Sequence, residues 1–196
     1  MSPDTGRTHN AWLDPTSVYM NAVVLHDLLD DLITDLQGVA FDVVAGCDAM
    51  GFVLAAGLAT RKGIGFLPVR KAGKLCVATD HVAFTNYSGR AQKMEMRLPA
   101  FAPGTRVLIA DQWIQTGGTM LAAIALVERQ QGVMAGLATI AIKTCTATDE
   151  FARRFPIAMA VMPGCRRQEE GDAQTLAGFG RCDAARTFPD AGRSIG

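Results

Sequence analysis

The stretch best equipped for chemistry runs Arg106-Val107-Leu108-Ile109-Ala110-Asp111-Gln112-Trp113-Ile114-Gln115-Thr116-Gly117-Gly118-Thr119-Met120. An apolar, β-prone run ends in a carboxylate, a short loop follows, and Thr-Gly-Gly-Thr opens a helical pattern. Glycines let the backbone approach a ligand closely and tolerate positive φ. Amides at a helix N-terminus, with its partial positive charge, form a cradle for phosphate. Thr116 and Thr119 add hydroxyl donors, and Asp111 can accept hydrogen bonds from a sugar diol. Together these groups suit a sugar phosphate. The plainer alternative is a strand-to-helix turn that uses Gly-Gly for packing and threonine for capping. A Walker-type loop is excluded, because its Gly-Lys-Ser/Thr ending is missing.

Two other clusters carry functional residue types. Asp48-Ala49-Met50-Gly51 follows a β-rich run and precedes a helical one. Arg70, Lys71 and Lys74 crowd together just past another strand-like run, either as an anion site or as a solvated basic loop. The three histidines, His9, His26 and His81, are scattered and have no metal-ligand spacing. The five cysteines are odd in number and contain no C-x-x-C, so reduced thiols are expected and disulfide or zinc frameworks are not.

The elements that must position these groups alternate. Apolar residues at three-four spacing predict a helix over residues 18–36. Strands are expected over 40–46, 65–69, 106–111 and 136–142, with a further one near 157–162. Helices are expected over 51–62 and 118–131, and a short one begins around Thr148-Asp149-Glu150, capped by the threonine or aspartate. Strand alternating with helix predicts an α/β fold, a mostly parallel sheet flanked by helices. In such sheets ligands bind outside the carboxyl ends of the strands, which selects the loops after residues 45, 69 and 111. Residues 75–103 have no clear helical period and read as a lid or arm, within which Met94 and Met96 alternate with Glu95 and Arg97 as in a packed strand.

A length of 196 residues suits a single domain, 1–196, with its core over about 14–162 and an irregular C-terminal extension over 163–196. Charged residues are 19% of the chain and balance to zero, so no electrostatic case exists for non-specific nucleic-acid binding. The N-terminus lacks a secretory pattern, and the longest apolar stretch is broken by Asp42 and Asp48. No membrane span is expected, and a cytoplasmic location is.

Three blocks, in order, resemble one family. Residues 106–119 resemble the phosphoribosyl pyrophosphate (PRPP) motif of type I phosphoribosyltransferases: four apolar residues, two acids, then T-G-G-T. Ala45-Gly46-Cys47-Asp48-Ala49-Met50-Gly51-Phe52 resembles the G-x-E-A-R-G-F pyrophosphate loop of the adenine phosphoribosyltransferases. Leu67-Pro68-Val69-Arg70-Lys71-Ala72-Gly73-Lys74-Leu75 resembles their R-K-x-G-K-L-P segment. The similarity covers roughly residues 14–143; the family's F-P-x-P-G-I entry segment is not recognisable, and only Asp14-Pro15-Thr16 hints at the D-I-T that follows it there. Gln112 stands where the family has its second acid, Met50 where it has arginine, and Asp48 is shorter than its glutamate.

The resemblance implies a type I phosphoribosyltransferase fold with a flexible hood. It also implies transfer of the phosphoribosyl group of PRPP to a purine, with adenine favoured. Gln112, Gln115, Thr116, Gly117, Gly118 and Thr119 would bind PRPP together with Asp111. Asp48, Ala49, Met50 and Gly51, with Arg70, Lys71 and Lys74, would receive pyrophosphate. Asp111 and Tyr87 would be catalytic, Tyr87 by shielding the reaction centre from the hood, where Arg90 or Lys93 would pair with pyrophosphate. Mg²⁺ would be bound through PRPP and water, reaching Asp111 only indirectly. A homodimer is implied as well. Two alternatives stay open: a base such as xanthine or guanine, and a non-catalytic PRPP-binding regulator, since the arm at residues 86–89 also resembles the effector domain of the Gram-positive purine repressor.

Overall fold

Asn21 interrupts what the sequence pattern presents as one helix over residues 18–36. The computed structural model describes residues 15–85 and 89–161, and it has α1 at Thr16–Met20 and α2 at Ala22–Asp35. Asn21 is extended, and its Oδ1 accepts hydrogen bonds from the N–H groups of Val23 (3.1 Å) and Val24 (3.2 Å). Those bonds satisfy two of the donors that every helix start leaves unpaired. Residues 15–26 fall in one unit and residues 27–161 in another.

The second unit is the α/β sheet that the alternation predicts. Its strands are β1 (Val43–Cys47), β2 (Gly65–Lys71), β3 (Thr79–Thr85), β4 (Ala91–Arg97), β5 (Arg106–Ile114), β6 (Val133–Ile142) and β7 (Ile157–Val161). Its helices are α3 (Gly51–Lys62), α4 (Gly118–Arg129) and α5 (Thr146–Arg154). The sheet order is β3-β4-β2-β1-β5-β6-β7. Strands β2, β1, β5, β6 and β7 are parallel, while β4 pairs antiparallel with both β2 and β3. Within the arm expected over 75–103, the antiparallel β3 and β4 therefore widen the sheet.

Several boundaries differ from the sequence reading for identifiable reasons. β1 begins three residues late, because Asp42 is committed to Arg106: its carboxylate accepts from Arg106 N (2.8 Å), Nε (3.0 Å) and Nη2 (2.6 Å). Those bonds from Arg106 hold the Asp42 carboxyl at about 2 and tie the amino ends of β1 and β5 together. β5 continues past Asp111 to Ile114, because β6 keeps pairing with it (Asp111↔Thr139, Trp113↔Ala141, Ile114↔Ile142). α5 starts at Thr146, two residues before the threonine expected to cap it. Cys145 is its N-cap, and Thr148 closes the box by accepting from the Cys145 N–H at 2.8 Å.

The two helices that follow β1 and β5 cover opposite faces. α3 packs where a Cβ on Gly46 would meet Ala55 Cβ at 2.8 Å. α4 packs, through Met120, Ala123 and Val127, with Val107, Ile109, Met94 and Met96 in the main core. Both methionines of β4 are fully buried, as expected.

Candidate active site

After β1 the chain passes through α3 to β2 on one side, and after β5 it passes through α4 to β6 on the other. The neighbours β1 and β5 thus flank a topological switch point, with Gly46 near the end of β1 opposite Ala110, the residue before Asp111. Open α/β sheets bind ligands in the crevice at such a point. Here it gathers two helix N-termini, and each helix begins without a side-chain cap, at Met50 for α3 and at Gly117 for α4.

Asp111 lies on the floor of this crevice. Its Oδ1 accepts the Gln112 N–H at 2.8 Å. The surrounding protein penalises its charge and pushes the carboxyl up to about 7, although the Gln112 N–H and the positive charge of Lys71 both work the other way. A Cβ on Gly51 would meet Ala110 O at 2.9 Å, and Asp111 Cα and Oδ1 each at 3.0 Å. Only glycine lets the first turn of α3 sit this close to the carboxylate.

The turn after β5 is fixed by packing. Gly117 has φ +78°, and a Cβ there would meet Ala147 Cβ at 2.9 Å and the Phe151 ring at 3.2 Å. A Cβ on Gly118 would run into the backbone carbonyl of Thr85 at the end of β3. α5 supports the turn from behind, where the Cys145 thiol donates to Gln115 O at 3.5 Å. Thr116 is exposed, and Gln112, Gln115 and Thr119 are half-buried.

On the other side of the crevice, Asp48 donates its N–H to Val69 O (3.0 Å), and its Oδ2 faces Arg70 Nε (3.5 Å) and Lys71 N (3.4 Å). The Asp48–Ala49 peptide is cis. Arg70 also donates through Nη1 to Lys74 O (3.3 Å), and its guanidinium lies 5.8 Å from the centre of the Phe52 ring. Lys71 and Lys74 are exposed. A cavity of about 370 Å³ on the arm is lined by Lys71, Ala72, Ala83, Ala91, Gln92 and Lys93.

The phosphoribosyl transferase domain family matches residues 24–161. The chain belongs to that family. The adenine phosphoribosyltransferase of Thermosynechococcus vestitus is 36% identical to it over 159 residues, covering 81% of this chain and 93% of that protein. The crystal structure of the Thermoanaerobacter pseudethanolicus adenine phosphoribosyltransferase is similar with a TM-score of 0.75 and 31% identity, over 81% of this chain and 92% of that one. A Saccharomyces cerevisiae enzyme of the same name, complexed with D-2,5-dideoxy-2,5-imino-altritol 1,6-bisphosphate and adenine, has a TM-score of 0.72 at 25% identity. That likeness covers 82% of this chain and 92% of the yeast chain. The fold is the type I phosphoribosyltransferase fold.

In this phosphoribosyltransferase, Asp111 with the 115–119 turn that follows it, and the 48–51 loop from a distant part of the sequence, meet at the switch point. Tyr87 lies outside the described residues, as do Asp14 and residues 163–196. Two residues escape a sequence reading. Cys145 shows no motif, and its contact with Gln115 spans 30 residues. Glu95 alternates with methionines like an exposed strand residue, yet it is 4% exposed. A carboxylate inside a Met-x-Met run is the one signal that marks it.

Proposed function

We propose that this phosphoribosyltransferase transfers the 5-phosphoribosyl group of PRPP to a ring nitrogen of adenine, forming the nucleoside monophosphate and releasing pyrophosphate. One observation carries the reading: the N-termini of α3 and α4 and the carboxylate of Asp111 in β5 meet in one switch-point crevice. The choice of adenine follows the relatives, which are named adenine phosphoribosyltransferases.

In this proposal the amides and hydroxyls of the 116–119 turn hold the 5′-phosphate. Asp111 accepts hydrogen bonds from the ribose hydroxyls and, when ionised, favours the cationic character that grows at the anomeric carbon. The 48–51 loop, with Arg70, Lys71 and Lys74, receives the departing pyrophosphate. No covalent nucleophile is required, because the base attacks as the pyrophosphate leaves, and positioning carries much of the barrier reduction.

Mg²⁺ fits this donor set as a companion of the substrate. Among the described residues no group of three or more His, Cys, Asp or Glu side chains is placed to hold a metal. A hard cation that keeps its waters and takes phosphate oxygens as ligands suits a crevice with so few carboxylates, where Asp48 already faces Arg70 and leaves Asp111 for the ribose side. When bound it neutralises charge on the leaving pyrophosphate. A homodimer and a cytoplasmic setting complete the proposal. No helix among the described residues is long and apolar enough to cross a membrane.

The test is pyrophosphate release from PRPP and Mg²⁺ across a panel of purines and pyrimidines. Release with adenine well above every other base is expected. Preference for guanine or xanthine would move the acceptor. Tight PRPP binding with no release for any base would replace the enzyme with a PRPP-binding regulator.

A further inference from the structure

Glu95 lies in the middle of β4 between two fully buried methionines, and it is itself 4% exposed. Its Oε1 accepts the N–H groups of Lys74 and Leu75, both at 2.7 Å, and its Oε2 accepts that of Gly73 at 3.0 Å. The Thr79 side chain adds another hydrogen bond. Burial pushes this carboxyl up, but the donors from Gly73, Leu75, Lys74 and Thr79 outweigh it and hold it below the ordinary glutamate value. Successive backbone N–H groups that converge on one anion form a nest, a geometry used for phosphate. In this chain the anion is built in.

The turn held this way belongs to the basic loop. Gly73, at φ +83°, lets the chain reverse so that the amides face inward. Arg70 is the cross-strand partner of Glu95 and donates to the Lys74 carbonyl, while its Nε faces Asp48. Ala72 N–H donates to Lys93 O at 2.9 Å and fixes the start of the turn. The Lys74 carbonyl that orients Arg70 shares its planar peptide with the Leu75 N–H, so it stands where it does because Glu95 holds that N–H.

We propose that Glu95 is a positioning residue for the pyrophosphate end of the reaction: its carboxylate fixes the 73–75 turn and, through the Lys74 carbonyl, the guanidinium of Arg70 beside Asp48. This rests on the reading that the 48–51 loop and the basic cluster receive pyrophosphate. A purely structural Glu95 would lower the melting temperature on substitution and leave the Michaelis constants of the folded enzyme alone.

The experiment compares Glu95→Gln, Glu95→Asp and Arg70→Ala with wild type. It measures kcat, KM for PRPP and for adenine, Kd for Mg²⁺-pyrophosphate, and Tm. Gln keeps the shape but turns an amide NH₂ toward backbone donors. Glu95→Gln is expected to raise the PRPP KM and the pyrophosphate Kd about tenfold or more, with kcat changed by less than about threefold and the adenine KM steady. Glu95→Asp keeps the charge and should recover part of the loss. The inference is overturned if Glu95→Gln leaves both pyrophosphate-dependent constants within about twofold of wild type while Arg70→Ala weakens them. If Glu95→Gln does not fold, Glu95→Met, which suits the buried methionines beside it and lacks the acceptor, takes its place, and pyrophosphate-dependent constants within about twofold of wild type there overturn the inference equally. Should Arg70→Ala itself leave pyrophosphate binding intact, the reading of the basic cluster fails first, and Glu95 loses its proposed role with it.

Discussion

The turn after β5 and the turn after β2 both lie at carboxyl ends of the parallel sheet, and they are held in opposite ways. The 115–119 turn is wedged: Gly117 packs on Ala147 and Phe151, and Gly118 packs on the Thr85 carbonyl. The 73–75 turn hangs on one carboxylate, and a Cβ on Gly73 would meet nothing within 4 Å. A wedged turn has one shape and tolerates no added atom. A turn hung on a carboxylate tolerates bulk but depends on charge. The difference matches the proposed tasks, since the 5′-phosphate stays bound through the reaction while the pyrophosphate must leave.

The largest effect is expected at the floor both turns share. Asp111→Asn should lower kcat/KM for PRPP about 100-fold or more, because the charge that favours the transition state is gone. The same substitution should stabilise the ligand-free protein at pH 8. The folded carboxyl, at about 7, holds its proton more tightly than the unfolded one at 3.8. Stability therefore falls as pH rises from the unfolded value through about 7, and asparagine removes that loss, worth on the order of a few kcal/mol at pH 8. Urea unfolding at pH 5 and pH 8 measures it; equal stability of the two proteins at pH 8 would contradict the raised value.

The wedge-and-hanger contrast itself is broken by alanine. Gly118→Ala places a methyl group against a backbone carbonyl and should cost about 2–4 kcal/mol, with loss of PRPP affinity. Gly73→Ala has open space and only its positive φ to resist it, so about 1 kcal/mol is expected. Equal costs in thermal unfolding would erase the distinction.

A smaller effect appears in the pH profile. As pH falls through about 7, Asp111 takes up a proton, and kcat/KM for PRPP should fall with it. Asp111→Asn should abolish that break, and Lys71→Met, which removes a charge favouring ionisation, should move it to higher pH. A break that stays in place in both variants belongs to another group. The smallest change is reserved for Gln112→Asp, which restores a second acid beside Asp111. It should raise kcat a few-fold, on the order of 1 kcal/mol, with little effect on PRPP affinity. Steady-state kinetics beside calorimetric binding of PRPP separates the two.

The same contrast explains what the sequence made legible. The wedged turn is spelled out in contiguous residues, with a β run, Asp111 and Thr-Gly-Gly-Thr, so its position could be read directly. The hanger could not, because the backbone donors to Glu95 lie 20 to 22 residues earlier in the chain and alternation alone assigns that side chain to solvent. The break at Asn21 was written as an N-cap residue before Ala22, but apolar periodicity runs straight across it and masked the signal. The extension of β5 to Ile114 comes from pairing with β6, which Asp-Gln-Trp does not announce.

A crystal structure of the chain with PRPP and Mg²⁺ tests the central claim most directly. The 5′-phosphate should lie on the 116–119 turn, the ribose hydroxyls within hydrogen-bonding distance of Asp111, and the pyrophosphate against the 48–51 loop and Arg70. PRPP bound the other way round, or bound outside the crevice between β1 and β5, would contradict the account.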